Sequence, residues 1–541
     1  MTVTPTHHRG RSWLVPGVCG ILAVLIAVPA LLGLRATSAA TDHLQVDGVP
    51  VTVMRPATDG RHPVVVIAHG FAGSGVIMSA LAEQVVQAGA IAVTFDFVGH
   101  GANPVAMPSG GGMSDAGQAA LQEDLQKVLT WVAAQPDVDS QEIALVGHSM
   151  GAGAVVRYAV DHPMALRSTV AISLPSAADI PAHEPGVPHN LLLLVGSAEP
   201  ASFGAAALAG LQAGYPSGAF ENVYGSAPSG TLRSAQVIAG SEHVGIVFAP
   251  ATATAVTQWL VDTLAVDHSA STSPALQLPP AGMHTLLWLA LLLAAGLLVM
   301  VPITRLLYPQ AAEPPGQSAR RWSWAVLAVA IAVLAADIIA RLLQNFTSLL
   351  PLAVGGYLVS WFTSAGVVLM ALAQLLPGLG RARPELRQPN IPNITWLDLL
   401  RAVVGATVVV LLIALPSKLT WAPFALVGDR WWLSAVMLVG FITFFWGEET
   451  LLRQLTTARR WLVVVIDRVL VIAALLAAIP LLGAPGFLIL LLPLMVLLLF
   501  LLAGFAGIVA RRKGAFLAVV LVQAVPLALL AATTFPLLMS S

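Results

Sequence analysis

The segment Gly147-His148-Ser149-Met150-Gly151 places one serine at the centre of a G-x-S-x-G motif. It follows the strand-forming run EIALV and precedes the helix-forming run AGAVVRYAV. A sharp turn from strand to helix would hold the serine hydroxyl clear of its neighbours, and the glycines would let the backbone approach closely. The motif therefore predicts a nucleophile for attack on a carbonyl carbon, served by a base and by an acid that orients the base.

The elements around this motif alternate between apolar strands and amphipathic helices. Six runs rich in Val, Ile, Leu and Ala predict strands: HPVVVIA, AIAVTF, EIALV, STVAI, NLLLLVG and AQVIAG. Between or after them, runs such as SALAEQVVQAG, AALQEDLQKVLTWVAAQ and VTQWLVDTLAV predict helices. Near-continuous apolar strands separated by helices indicate a parallel sheet covered on both faces. The predicted fold class for residues 40–268 is α/β, with a doubly wound and mostly parallel sheet.

Four short segments give residues 42–268 a resemblance to a known superfamily: HGFAG from His69, GHSMG from Gly147, GSAE from Gly196 and SEH from Ser241. With them, this region resembles the α/β hydrolases. Only about fifteen residues separate STVAISLP from NLLLLVGS, too few for a large cap, so the region is similar to compact esterases and dienelactone-hydrolase-like members. The resemblance implies acyl-enzyme chemistry on an ester, thioester or amide, without a metal or organic cofactor.

The chain order in this superfamily, serine then acid then histidine, implies which side chains serve Ser149. His243 follows the last predicted strand and is implied as the base, because the other histidines after Ser149 do not follow a strand at that stage of the fold. Glu199 follows the penultimate strand, where the acid usually lies. Asp179 follows the strand before it, a position that some members use. The sequence favours Glu199 and leaves Asp179 open as the alternative.

Two backbone N–H groups are expected to stabilise the oxyanion that forms on the attacked carbonyl. One belongs to Met150, directly after the nucleophile, and the other to Phe71, in the His69–Gly73 turn after the first central strand. The segment Asp96–Gly101 resembles a D-x-x-G-x-G turn that is common in these proteins. We assign it a structural role and do not assign His100 to catalysis.

The composition of the whole chain indicates a membrane protein. Its 541 residues are 57% hydrophobic and 10% charged, and the mean hydropathy is +0.82. A net charge of -1 without a long basic run argues against a nucleic-acid partner. Cys19 is the only cysteine of the sequence, so no intrachain disulfide can form.

Nine apolar segments are long enough to cross a bilayer. The first, residues 13–34, follows a basic stretch and predicts a transmembrane signal anchor with residues 1–12 in the cytoplasm; Ser38-Ala39-Ala40 leaves cleavage open as an alternative. Residues 269–283 are the predicted linker, and residues 284–541 the predicted membrane domain. Its eight spans are approximately 284–307, 323–343, 350–376, 396–415, 431–447, 461–480, 485–510 and 515–537.

The distribution of basic residues predicts the orientation of these spans. Alternate loops are rich in arginine, and the opposite loops are not, as expected when the basic loops face the cytoplasm. This arrangement predicts a multi-pass cell-membrane protein whose α/β domain lies outside the cytoplasm. The basic loops contain Arg320 and Arg321; Arg381, Arg383 and Arg387; Arg453, Arg459 and Arg460; and Arg511, Arg512 and Lys513.

The predicted spans contain several ionisable residues. The run EETLLR, from Glu448 to Arg453, resembles the first motif of CAAX-type intramembrane proteases, but the chain has no histidine after His284 to complete such a site. We expect ion pairs between residues four apart on one helix, Glu449 with Arg453 and Asp337 with Arg341.

The sequence as a whole predicts a membrane-anchored serine hydrolase, carboxylesterase-like or lipase-like, acting on a small-molecule or lipid ester at the lipid bilayer. Two alternatives remain open. One is a peptidase of the serine aminopeptidase kind. The other is a transport or scaffold protein whose hydrolase-like domain only binds, and any protein partner of the membrane domain is unknown.

Overall fold

The computed structural model describes residues 13–35, 40–265, 281–309, 319–347, 349–375, 394–453, 455–510 and 512–539. The predicted cytoplasmic residues 1–12, the serine and first alanine of the possible cleavage site, and linker residues 269–280 lie outside them. The chain divides into two compact units. The α/β unit comprises Leu32–Leu289, Ser417–Arg430 and Thr533–Ser541; the helical unit comprises Met1–Leu31, Ala290–Pro416 and Trp431–Ala532.

A nine-stranded sheet forms the centre of the α/β unit, in the order β1-β2-β4-β3-β5-β6-β7-β9-β8. The pairs β1–β2, β2–β4 and β8–β9 are antiparallel and the other five pairs are parallel. The strands are β1 Ala40–Val46, β2 Val49–Arg55, β3 His62–Ala68, β4 Ile91–Phe95, β5 Val138–His148, β6 Ser168–Ile172, β7 Leu191–Gly196, β8 Val223–Tyr224 and β9 Arg233–Ile238.

Helices cover both faces of this sheet, as the residues of β3 illustrate. Val64 and Val66 pack with the helices of one face, α3 and α4, whereas Val65 and Ile67 pack with α2 and α6 on the other. All four side chains are fully buried, and burial of each contributes about 1.5–3 kcal/mol. The helices are α2 Ser79–Gln87, α3 Asp115–Ala133, α4 Met150–Asp161, α5 Ala201–Gly214 and α6 Pro250–Thr263, after α1 Leu14–Arg35.

The predicted fold class is confirmed: the sheet is mostly parallel and doubly wound. Each of the six predicted strands corresponds to a strand of the sheet. The apolar runs in the sequence do not predict β1, β2 and β8, which form the antiparallel edges. The connection from residue 173 to residue 190, which is described throughout, contains no helix or strand and therefore no large cap.

Two segments distant in sequence complete the α/β unit. The backbone of Leu537 donates to Gly99 O (2.8 Å) and accepts from Met107 N (2.9 Å), and Met539 N donates to Met107 O (2.7 Å). Arg430, which is fully buried, donates from Nη2 to Gly99 O (2.7 Å) and from Nη1 to a backbone carbonyl of the same segment, at residue 535 (2.8 Å). These bonds fix the chain that follows β4.

Nine helices within the described residues are long and apolar enough to cross a membrane, which suggests a multi-pass membrane protein. One of them is α1. The other eight are α7 Ala281–Leu307, α8 Ala319–Leu342, α10 Gly355–Leu375, α11 Trp396–Thr420, α12 Arg430–Leu452, α13 Thr457–Leu482, α14 Leu492–Val509 and α15 Phe516–Thr534, and the short α9 Gln344–Thr347 lies between α8 and α10. The side of the membrane that each terminus faces stays a prediction.

The two ion pairs expected within single helices are wrong. Asp337 accepts from the indole Nε1 of Trp361 on α10, at 2.6 Å. Glu449 pairs with Arg460 on the next helix. In both cases a side chain on a neighbouring helix offers a closer partner than the residue one turn away.

Candidate active site

Ser149 lies between the last residue of β5 and the first residue of α4. Its backbone has φ 53° and ψ -116°, a strained conformation for a residue other than glycine that costs about 1–3 kcal/mol. Two backbone hydrogen bonds hold it: Ser149 N donates to Ile172 O on β6 (2.8 Å), and Gly153 N donates to Ser149 O (3.1 Å). The fold thus fixes the serine in the sharp turn that the motif predicts.

The two glycines of the motif lie where a side chain would not fit. A Cβ on Gly147 would lie 2.3 Å from Gly151 O, and a Cβ on Gly151 would lie 2.5 Å from Ala68 O. Both distances are far below van der Waals contact, and the obstacles are backbone atoms that cannot rotate away. The close packing of β3, β5 and α4 therefore requires glycine at both positions.

The structure brings Ser149, His243 and Glu199 together in one chain of hydrogen bonds. Ser149 Oγ lies 2.9 Å from His243 Nε2. On the other side of the ring, His243 Nδ1 lies 2.5 Å from Glu199 Oε1. The three residues follow β5, β9 and β7, whose carboxyl ends meet at the same edge of the sheet.

The Glu199 side chain is fully buried, and that of His243 is 6% exposed. The second carboxylate oxygen of Glu199 accepts from Gly196 N at 2.7 Å, so the carboxylate is held from both sides. Asp179, the alternative acid, instead pairs with Arg157 at 3.1 Å and is 45% exposed. The geometry therefore favours Glu199 over Asp179 as the partner of His243.

The His69–Gly73 turn lies directly against the serine. A Cβ on Gly70 would lie 3.1 Å from Ser149 Cβ. Phe97 N donates to His69 Nε2 (3.1 Å), so the ring proton is on Nδ1, which donates to Gly70 O (2.8 Å). Burial lowers the pKa of His69, and the neutral ring stabilises the turn that carries the Phe71 N–H.

Met150 begins α4, so its N–H belongs to the first turn of a helix, where backbone donors lack intrahelical partners.

The Asp96–Gly101 segment shapes the neighbouring turn. The Asp96 carboxylate accepts from Gly75 N (2.6 Å) and Ala102 N (2.7 Å). Burial lowers the pKa of His100 well below its usual value, and its Nδ1–H donates to Val98 O at 2.9 Å. The His100 ring contacts Phe71 edge-on, with centroids 5.7 Å apart. These contacts agree with a structural role for the segment.

His148, the residue before the serine, makes a contact that the sequence motifs do not predict. Its Nε2 lies 2.8 Å from the backbone oxygen of His243. Burial, and next the proximity of His243, lower the pKa of His148 to about 3. The ring is therefore neutral, and its N–H donates to the carbonyl, which positions the backbone of His243. The feature of the sequence that could have indicated this contact is the position of His148 at the carboxyl end of a central strand.

We expect the α/β unit to lose stability as the pH falls below neutral. The pKa of His148 is about 3 in the folded chain and about 6.5 when exposed, so between these values only the unfolded chain binds the proton. The contribution of the neutral, buried His148 to the free energy of unfolding is therefore complete above pH 6.5. It falls as the pH decreases, by at most about 1.4 kcal/mol per pH unit. Burial of His69 and His100 acts in the same direction.

Retention of fluorophosphonate labelling after heating, measured between about pH 7 and pH 5, tests this expectation. His148→Gln removes one titrating group and should make the dependence on pH shallower. His162→Gln, at an exposed position beyond α4, is the control and should keep the slope of the parent protein. If stability depended on pH as steeply in His148→Gln as in the parent protein, His148 would not be a source of the pH dependence.

Comparison with known proteins identifies the α/β unit. A sequence profile of the family described as serine aminopeptidase, S33, matches residues 60–197. This range contains the strained serine and the turn packed against it. The chain carries an α/β-hydrolase domain. For residues 40–265 we use the name hydrolase domain; the matched residues 60–197 lie within this range, and the resemblance stated from the sequence is confirmed.

Curated relatives match parts of the hydrolase domain. An uncharacterized protein of Mycobacterium tuberculosis is 35% identical over 139 residues, which cover 25% of this chain and 45% of that protein. The sn-1-specific diacylglycerol lipase ABHD11 of Mus musculus is 28% identical over 174 residues, which cover 32% of this chain and 52% of that protein. The chain thus spans about half the length of these relatives.

Solved structures with a similar domain include the dienelactone hydrolase of Anabaena variabilis. It is 17% identical, with a TM-score of 0.31, and the match covers 42% of this chain and 98% of that chain.

Proposed function

We propose that the hydrolase domain is a serine esterase, with Ser149 as nucleophile, His243 as general base and Glu199 as the acid that orients the base. The observation that carries the proposal is the uninterrupted hydrogen-bond chain from Ser149 Oγ through the imidazole to the carboxylate. In this arrangement Glu199 accepts the Nδ1–H, so Nε2 carries the lone pair that receives the serine proton.

The reaction proceeds through an acyl-enzyme. Ser149 Oγ attacks the ester carbonyl while His243 Nε2 takes its proton, and the tetrahedral intermediate collapses as His243 returns that proton to the leaving alcohol. Water then attacks the acyl carbon and gives a proton to His243; the bond from that carbon to Ser149 Oγ breaks, the acid leaves, and His243 returns the proton to Oγ. The backbone N–H groups of Met150 and Phe71 are proposed to bind the oxyanion in both steps.

The proposed substrate is an ester of a lipid or another apolar molecule. Apolar residues lie beside the reacting groups: the Phe203 ring centroid is 4.6 Å from that of His243, Met150 follows the serine in sequence, and Phe71 belongs to the turn that packs against the serine. A lipase is among the relatives of this domain, and the chain has many membrane-type helices. Both facts support the proposal that the acyl group of the substrate is apolar enough to partition into a bilayer.

A fluorophosphonate probe tests the proposed nucleophile. The full-length protein in detergent should be labelled on one residue, and mass spectrometry should locate the phosphonate on Ser149. A panel of p-nitrophenyl esters with increasing acyl chain length then tests the substrate class, and turnover should rise with chain length before it falls. Labelling on another residue, or none, would remove the esterase proposal.

A peptidase is the second candidate, because the matching profile is that of serine aminopeptidases. The same Ser149 chemistry would then act on an amide whose amino terminus is bound nearby. Aminoacyl amides added to the substrate panel separate the two candidates: preference for amides over esters of the same acyl group supports the peptidase.

We also propose that the hydrolase domain faces the outside of the cell, as the arrangement of basic loops predicts. Ser176 is exposed on this domain, so a Ser176→Cys variant in intact cells should react with a membrane-impermeant maleimide. The parent protein, which contains only Cys19, is the control. Reaction only after the membrane is permeabilised would place the domain in the cytoplasm.

A further inference from the structure

A cluster of buried polar side chains lies between three helices of the helical unit. It joins the end of α12, the first half of α13 and the middle of α15. Apart from one arginine side chain that is 14% exposed, every member is at most 4% exposed. The members are Glu448, Glu449, Arg460, Asp467, Arg468 and Gln523.

Arg468 is the centre of this cluster. Its Nη1 and Nη2 donate to the two carboxylate oxygens of Glu448, at 2.9 and 3.1 Å. Nη1 also contacts the carboxylate of Asp467, and Nη2 donates to Gln523 Oε1 at 2.9 Å. One guanidinium therefore donates hydrogen bonds to two carboxylates and one amide oxygen. The remaining acid, Glu449, has its own ion pair with a different arginine.

The charges of the cluster do not balance. Among the six members, Glu448 and Asp467 share Arg468, whereas Glu449 is matched by Arg460, so one negative charge is left over. Arg453 also attracts Glu449, but it is exposed and lies outside the cluster. One oxygen of Asp467, Oδ1, is buried and has no hydrogen-bond partner among the described residues. Both carboxylates contact the same nitrogen, Arg468 Nη1, so the carboxyl groups of Glu448 and Asp467 are neighbours. An uncompensated charge at such a site is strongly unfavourable.

We propose that Glu448 and Asp467 together bind one proton, which makes this cluster a proton-binding site of the helical unit. A proton taken from hydronium converts one carboxylate into a carboxylic acid and leaves a water molecule. The acid then donates to the facing carboxylate, and the cluster becomes neutral.

A proton suits this site better than a metal ion. The Arg468 guanidinium already donates to both carboxylates, and its positive charge would repel a metal cation. No group of three or more His, Cys, Asp or Glu side chains suited to a metal occurs within the part of the chain that the structure describes. The adjoining cavity, lined by Glu448, Arg460, Arg468 and Gln523 among others, has room for about one water molecule.

Infrared difference spectroscopy of the full-length protein in detergent tests the proposal. At neutral pH the parent protein should show the carbonyl stretch of one protonated carboxylic acid, which disappears in Asp467→Asn and equally in Glu448→Gln. Either change leaves as many carboxylates as guanidiniums in the cluster, so the remaining acid ionises. Asp337→Asn removes a buried carboxyl of another site and should leave this band unchanged.

Two results would overturn the proposal. One is the absence of the band from the parent protein at neutral pH, or its persistence in both variants. The other is loss of the band when sodium ions are added at constant pH, which would assign the site to a metal cation. Elution of each variant as a single species in size-exclusion chromatography separates these results from misfolding.

Discussion

Ser149→Ala should abolish fluorophosphonate labelling and lower the rate of ester hydrolysis by a factor of about 10⁴–10⁶. The variant lacks the oxygen that becomes covalently bound to the acyl group, while the imidazole and carboxylate remain in place. Binding and the backbone donors of Phe71 and Met150 would account for the residual activity. The measurement is kcat/KM for the best p-nitrophenyl ester, with labelling followed on the same preparation.

Ser176→Ala is the matched control, because Ser176 is exposed on the loop after β6. It should keep both the labelling and the rate of the parent protein. Thermal stability of Ser149→Ala should also stay close to that of the parent, since the turn is fixed by backbone bonds and glycine packing. A Ser149→Ala variant that retains more than a small fraction of the activity would assign the hydrolysis to another group.

Glu199→Gln should lower kcat by a factor of about 10²–10⁴. The amide has nearly the same shape, but its oxygen carries no full charge to stabilise the imidazolium formed when His243 takes the serine proton. If the amide instead turns its NH₂ toward the ring, His243 Nδ1 must accept, and the tautomer no longer leaves a lone pair on Nε2. KM should change little, because the carboxylate is buried behind the ring.

Asp179→Asn tests the other acid that the sequence left open. It removes one partner of an exposed ion pair with Arg157, and such pairs contribute about 0–1 kcal/mol to stability. We expect unchanged kcat. If Asp179→Asn lost activity and Glu199→Gln did not, the assignment of the acid would be reversed.

The fold was predictable because its signals are local. The β3 run His62–Ala68 is apolar at nearly every position, and both of its faces are indeed buried. The edge strand β1, Ala40–Val46, is mostly exposed, so it lacks the apolar pattern on which the prediction of the central strands rested. Because the carboxyl ends of parallel strands meet at one edge of the sheet, the order of the strands along the chain was enough to predict that Ser149 lies near the residues that follow β7 and β9.

The sequence could not identify contacts that depend on tertiary packing. Glu199 and Asp179 both follow a strand, and only the positions of the loops place one beside His243 and the other beside Arg157. The helical unit gives a similar case. Helical spacing suggested a partner for Glu449 one turn away, but the residue that binds it lies on the next helix.

The backbone bonds of Leu537 and Met539 to Gly99 and Met107 have a consequence for biosynthesis. Ribosomes synthesise residue 99 more than four hundred codons before residue 537, with every helix from α7 to α15 in between. A nascent chain interrupted between α7 and α15 contains Ser149, Glu199 and His243 but lacks the segment that pairs with Gly99 and Met107. The backbone bonds of Gly99 and Met107 therefore form only after all the helices from α7 to α15 have been translated. A secreted fragment that ends near residue 265 would lack these bonds.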